Sequence, residues 1–380
     1  MRIPDELRSL RPYQPGKPIS ETQREYGLSQ VIKLASNENP LGISPLAQQA
    51  LRSAIKEQFR YPDPSCFELH QKVCNLWGQA HSRVSFGNGS DEIIDLLIRI
   101  FCDPHDSILI SEYSFQAYEV SAGSSRVNVI KVPTAPGFKI DLKRLTETYF
   151  KQRDSHKIRM IFIPNPNNPT GSYLPEADVK QFVQDVRNEK DLVVVFDEAY
   201  HEFIRAQDYE SMLNAVDNQG NFCVIRTFSK SLGLAGLRLG ALIGPTELVE
   251  IYNRIRKPFN VNTMAQVAAI AALDDKEFIR KTQEVTWEGL SYWYKELERL
   301  GLPYYPSQGN FILVDTLRRA EDVYQNMLRK GVILRPLRNY GFVNHLRISI
   351  GLPAENQIGV KALEECLAEI PPLPPEQRCP

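Results

Sequence analysis

Three short apolar runs in the middle of the chain constrain its fold more than any other feature. IRMIFI (158–163), LVVVF (192–196) and FCVIRTF (222–228) are mainly apolar, interrupted only by Arg159, Arg226 and Thr227, and rich in β-branched residues. That is the pattern of strands buried on both faces. Helical patterns alternate with such runs, so the sequence predicts an α/β fold, a mostly parallel sheet covered by helices on both sides. Each run ends in polar or turn residues: PNPNNPTG, DEAY and SKSLG respectively. Ligands of open α/β sheets sit at the carboxyl ends of the strands, so these three stretches are expected to converge on one crevice.

At 380 residues the chain exceeds one ordinary domain. A helix is read where Trp287, Leu290, Tyr294 and Leu297 recur at steps of three and four, a core-facing stripe. Strands are read at 310–315, 332–335 and 345–350, which gives a smaller α+β domain. The expected division is an N-terminal arm over 1–40 joining the small domain, a large domain over 41–260 and a small domain over 261–380. The Pro-rich tail PPLPPEQRCP is expected to fray.

With 45 basic and 46 acidic residues the formal net charge is −1, which argues against nucleic acid as a partner. No apolar stretch reaches membrane-spanning length. The opening residues carry charges and prolines where a secretory signal needs an apolar segment. A cytoplasmic location without a membrane partner is therefore expected. Six cysteines are scattered without CxxC pairs, and six histidines are equally dispersed. Neither a disulfide framework nor a metal site is expected, and a lone histidine such as His70 or His345 is read as structural.

The segment RVSFGNGSDEIIDLLIRIF (83–101) reads as strand, glycine turn and amphipathic helix. Such a turn aims the backbone N–H groups of Gly89, Ser90 and Asp91 at an anion, helped by the helix dipole; taken alone it reads first as a well-capped helix with Ser90 or Asp91 as N-cap. Neither GxGxxG after a strand nor GxxxxGK[ST] occurs, so a phosphate ligand of another kind is considered. TFSKSLGLAGLRLG (227–240) adds hydroxyls from Thr227 and Ser229, a donor fork from Arg238, and Lys230 beyond a buried strand. Desolvation there favours the neutral, nucleophilic amine that a Schiff base requires. Asp197 directly follows LVVVF, where a carboxylate calls for a cationic partner, which a protonated pyridine nitrogen provides. Asn168 and Tyr200 can hydrogen-bond a phenolate oxygen on the same ring, and Tyr113 can stack on it. Each has an ordinary reading as turn or core residue. Together they describe a site for pyridoxal 5'-phosphate.

The ordered series SNENPLG (36–42), YPD (61–63), GNGSDEII (87–94), PNNPTG (166–171), DEAY (197–200), TFSKSLGLAGLRLG (227–240) and LRISIG (346–351) resembles the class II, fold-type I pyridoxal-phosphate aminotransferases, most of all members acting on histidinol phosphate. The resemblance implies a seven-stranded large domain with a smaller one appended. It makes Lys230 the Schiff-base lysine and proton carrier. Asp197 becomes the partner of the ring nitrogen, Asn168 and Tyr200 contacts of the ring oxygen, and Tyr113 the stacking ring. Gly89, Ser90, Asp91, Thr227, Ser229 and Arg238 surround the phosphate, and Tyr61 reaches the phosphate of a neighbouring subunit, so a homodimer with shared active sites is implied. Arg347, Arg335, Tyr13 and Asn37 are assigned to substrate. The reaction implied is a ping-pong exchange between histidinol phosphate plus 2-oxoglutarate and imidazole acetol phosphate plus glutamate.

Two stretches depart from that pattern. SEYSFQAY (111–118) has Ser-Glu before Tyr113 where many relatives carry Pro-Thr, and RPLRNYG (335–341) resembles second-copy paralogues of which some prefer aromatic amino acids. Aromatic transamination on the same machinery is therefore an alternative. Decarboxylation of a phosphorylated amino acid and a non-catalytic cofactor-binding module are two others.

Overall fold

The computed structural model describes residues 5–8, 10, 15–216 and 220–379. Seven strands form the large sheet, in the spatial order Val84–Gly87, Gly240–Ile243, Phe222–Thr227, Val193–Asp197, Ile158–Pro164, Ser107–Ser111, Asn128–Val132. Gly240–Ile243 runs against both its neighbours, and the remaining pairs are parallel. Alternate side chains of a strand point to opposite faces, and here both faces are buried. Leu109, Ile161, Ile163, Val194, Phe196 and Val224 enter one core. Ile108, Ile110, Met160, Phe162, Val195, Cys223 and Ile225 enter a second. This is why the runs are apolar at nearly every position instead of alternating with polar residues.

A second layer holds the antiparallel strands Arg335–Pro336, His345–Ser349, Phe311–Asp315 and Tyr304–Tyr305, in that order. The expected strand 332–335 is divided: Val332–Ile333 pairs in parallel with Ile32–Lys33, while Arg335–Pro336 joins the four-stranded sheet. The first pairing stitches the N-terminal segment to this layer. The predicted helix spans Lys276–Arg299. Its stripe is centred on Trp293, which the periodicity reading passed over. Trp293 is fully buried among Leu290, Leu297, Leu363 and Val360, and its indole N–H donates to Asn356 Oδ1 at 3.0 Å.

Two expectations differ from the structure. The helix Thr263–Asp274 follows the boundary set at 260, yet its alanines 265, 268, 269 and 272 pack in the large-sheet core. Their spacing makes a smooth face that lets the helix Pro45–Ala54 approach closely. The tail is also tied down. Leu373 N donates to Leu317 O at 2.8 Å and Cys379 N to Asn344 Oδ1 at 2.8 Å, so both ends of the tail are hydrogen-bonded to the small layer.

Replacing Trp293 by Ala leaves a large cavity and removes one of the two hydrogen bonds that Asn356 Oδ1 accepts, the other coming from Gly351 N. Chemical denaturation followed by circular dichroism should show a loss of about 3–5 kcal/mol; a loss below about 1 kcal/mol would mean that the layer is not built on this side chain.

Candidate functional site

The carboxyl ends of the parallel strands open on a cavity of about 460 Å³. Each strand leads into it by a short turn: Gly87 to Ser90 and Asp91, Ser111 to Phe115, Pro164 to Asn168, Asp197 to Tyr200, and Thr227 to Ser229 and Lys230. Arg238 precedes the antiparallel strand and lines the same wall. The small sheet closes the far side with Arg335 and Arg347, and the N-terminal segment contributes Ala35, Ser36, Asn37 and Glu38.

Asp197 sits at the last position of its strand and is buried. Its Oδ2 accepts from the Tyr118 hydroxyl at 2.7 Å and its Oδ1 from Ala199 N at 3.1 Å. Burial pushes its carboxyl from 3.8 up to about 6; Tyr118 and the Ala199 N–H oppose the rise, and the Asp91 and Glu198 charges add to it. None of these groups is a cation, so the carboxylate is arranged for a cationic partner inside the cavity. Lys230 Nζ stands over the Tyr200 ring, 5.7 Å from its centroid. The Tyr200 hydroxyl accepts from Asn37 Nδ2 at 2.9 Å. Asn37 is held in turn by Ser349, whose hydroxyl donates to its Oδ1 at 2.7 Å and accepts from its N–H at 2.8 Å. Arg347 Nη1 donates to Asn168 Oδ1 and Nη2 to Ala35 O, both at 2.6 Å.

One end of the cavity is shaped for an anion. The helix Ser90–Phe101 begins there, after Gly89 at φ +80°. A Cβ on Gly89 would lie 2.4 Å from Arg238 Nη2, and one on Gly240 would lie 2.6 Å from Ser90 N. Only glycines let the guanidinium and the helix N-terminus close on one another. Arg238 Nη2 also donates to Asp91 Oδ2 at 2.8 Å, and Thr227 Oγ1 accepts from Ser229 N at 3.2 Å. A phosphate end, a ring nitrogen and an amine-reactive carbonyl are what these donors, Asp197 and Lys230 suit, so the residues fit pyridoxal phosphate.

Comparison with known proteins agrees with that chemistry. The family model for aminotransferases of class I and II matches residues 29–363. The chain belongs to this family. A histidinol-phosphate aminotransferase from Bdellovibrio bacteriovorus is 55% identical over 373 residues, 98% of this chain and 100% of that one. One from Moorella thermoacetica is 42% identical, with 95% of this chain and 92% of that one covered. The crystal structure of a Sinorhizobium meliloti histidinol-phosphate aminotransferase in complex with pyridoxal-5'-phosphate superposes with a TM-score of 0.87 at 23% identity, covering 97% of this chain and 98% of that one. At that identity the match speaks for the fold.

In this aminotransferase, most of the residues singled out from sequence gather at one cavity: Asn37, Ser90, Asp91, Asn168, Asp197, Tyr200, Thr227, Ser229, Lys230, Arg238, Arg335 and Arg347. Tyr113 does not face it. Its ring stacks on Phe342 at 4.5 Å and meets Phe138 edge-on at 5.2 Å, because the turn after Ser111 carries it toward the small layer. Phe115 takes the cavity side instead, and three residues on Tyr118 reaches Asp197. The Phe115–Tyr118 spacing was the available signal for both. Tyr61 lies on the outer surface, 82% exposed and stacked on Phe259 at 4.7 Å. Tyr13 lies outside the described residues. Among the described residues, no helix is long and apolar enough to cross a membrane.

The raised carboxyl of Asp197 fixes a sign for stability. Without cofactor, the folded chain keeps this proton between about pH 4 and about pH 6 while the unfolded chain has lost it, so stability falls as pH rises through that window. Asp197→Asn should remove this contribution, about 3 kcal/mol across the window. Denaturation of both cofactor-free proteins at several pH values checks it; a difference independent of pH would refute it.

Proposed function

We propose that this aminotransferase uses pyridoxal 5'-phosphate to interconvert histidinol phosphate and 2-oxoglutarate with imidazole acetol phosphate and glutamate, working as a cytoplasmic homodimer. The observation that carries the substrate reading is a pair of arginines. Arg335 and Arg347 are direct cross-strand partners in the small sheet, both buried, 9% and 7% exposed, and both line the cavity opposite Lys230. Two like charges opposed on one sheet repel and are costly to bury. A doubly charged phosphate, or alternately a carboxylate, offsets that cost. The two 55% and 42% identical relatives carry the same substrate in their names.

When bound, pyridoxal phosphate supplies a carbonyl that captures an amine and a ring that accepts the electron pair left when a proton departs. The chain supplies the rest. Lys230 Nζ would be the base that takes the proton from the substrate's α-carbon and delivers it across the nitrogen to the cofactor carbon that captured the amine. Asp197, fixed by Tyr118 and Ala199, holds a proton on the ring nitrogen. Tyr200 and Asn168 would orient the ring oxygen, and Phe115, which lines the same cavity, would supply an apolar wall. The Ser90 and Asp91 amides, Thr227, Ser229 and Arg238 hold the phosphate. The bond perpendicular to the ring is the one that breaks, so anchoring the substrate by Arg335 and Arg347 selects proton transfer over loss of carbon dioxide.

Exposed apolar groups support the dimer. Ile55, Phe59, Tyr61, Phe67 and Phe259 are each at least 40% exposed in the single chain, more than scattered surface residues explain. They carry Tyr61, the residue expected to reach a second copy's phosphate.

The deciding experiment is the half-reaction followed by absorbance, with histidinol phosphate, phenylalanine and glutamate added separately. Fast conversion by histidinol phosphate and slow conversion by phenylalanine is expected; the reverse order would assign the protein to aromatic amino acids. Lys230→Ala should reduce turnover by orders of magnitude, and retained activity would remove the lysine from its role. Arg335→Ala should raise KM for histidinol phosphate about 10- to 100-fold, the loss of one charge-assisted contact, and KM for glutamate far less. Equal rises for both would remove the phosphate contact.

A further inference from the structure

Away from the cavity, three side chains that the transamination site does not use meet at the edge of the large-sheet core. His70 and Cys74 lie one turn apart on the helix Phe67–Trp77, so they share a face. The helix stops at Gly78, φ +64°, whose left-handed turn sends the chain back. His81, opening the short turn His81–Arg83, thereby returns over the same face. The His70 and His81 rings lie 4.4 Å apart. One ligand atom from each of His70, Cys74 and His81 falls within 4.8 Å of the others.

The hydrogen bonding of His70 fixes which nitrogen is available. Its Nε2 lies 2.9 Å from Val84 O, an acceptor only, so Nε2 carries the hydrogen and Nδ1 keeps its lone pair. That Nδ1 is 3.5 Å from Cys74 Sγ. A histidine anchored through one nitrogen to a backbone carbonyl, with the other turned to a thiol, is the usual outer support of a metal-binding imidazole. Zinc bonds of about 2.3 Å to sulfur and about 2.0 Å to nitrogen at a tetrahedral angle put sulfur and nitrogen about 3.5 Å apart. His81 is exposed, so it is free to rotate inward by the ångström that separates 4.8 Å from such an edge.

We propose that His70 Nδ1, Cys74 Sγ and a nitrogen of His81 form a binding site for one zinc ion, with water in the fourth position. Binding releases the thiol proton to solvent, and the ion is held by one thiolate and two neutral imidazoles. The nitrogen and sulfur donors favour zinc, or cobalt in its place, over magnesium or calcium, which take oxygen ligands. The H-x3-C-x6-H spacing matches none of the common zinc patterns, which explains why the sequence does not announce it. The ion would clamp the Phe67–Trp77 helix to the His81–Arg83 turn, which leads into the strand Val84–Gly87 and so to the glycine turn before Ser90.

The test uses the full-length, cofactor-loaded protein after dialysis against a chelator. Competition with a chromogenic chelator should show one zinc per chain. His81→Ala, a change at an exposed position, should weaken that binding about tenfold or more without altering transamination. Loading with cobalt should give a near-ultraviolet thiolate-to-metal band, read as a difference spectrum, which Cys74→Ser abolishes. Zinc affinity unchanged in His81→Ala, or bound cobalt without a thiolate band in the unaltered protein, would overturn the site.

Discussion

Much of this molecule is organised around one buried carboxylate. Asp197 ends a central strand between the paired residues Pro164 and Ile225, and is buried. A carboxylate in that position destabilises the empty chain unless other groups meet it. Tyr118 from the helix Ala117–Ser124 and the Ala199 N–H each supply one hydrogen bond, and neither brings positive charge. The remaining demand faces the cavity. The residues that line the same cavity suit a ligand with a positive ring atom and an anionic end: Lys230 over the Tyr200 ring, the glycine-lined anion cradle of Gly89 and Arg238, and two buried arginines from the small sheet.

How legible this was in the sequence depended on whether a feature is local. Buried parallel strands announce themselves because both faces must be apolar, and the residues just past their ends follow from topology. Asn168, Asp197, Tyr200 and Lys230 were reachable in that way. Tyr113 was not, because a turn of a few residues decides whether its ring or that of Phe115 faces the cavity, and Phe138 and Phe342, which capture Tyr113, are distant in the chain. The Thr263–Asp274 helix was misplaced for a related reason. Its alanines carry little preference for one layer over the other, and the partner helix Pro45–Ala54 is two hundred residues away. The docked tail follows the same rule, since Leu317 and Asn344 cannot be inferred from PPLPPEQRCP. Tyr61 belongs to another category: its expected contact is with a second chain.

The two layers meet through hydrogen bonds that converge on the site. Arg347, on the small sheet, donates to Asn168 of the large layer and to Ala35 of the N-terminal segment. Asn37 donates to Tyr200 and is held by Ser349 and by Asn310 Nδ2, which donates to Asn37 O at 3.1 Å. The strand pairing of Ile32–Lys33 with Val332–Ile333 fixes that segment to the small layer. The groups that position Tyr200 and Asn168 are therefore the same groups that set the small layer against the large one. Any anion drawn to Arg347 enters a network already shared by both layers. Its binding energy is coupled to their relative placement, because the guanidinium cannot turn toward the anion without loosening its hold on Asn168 or Ala35.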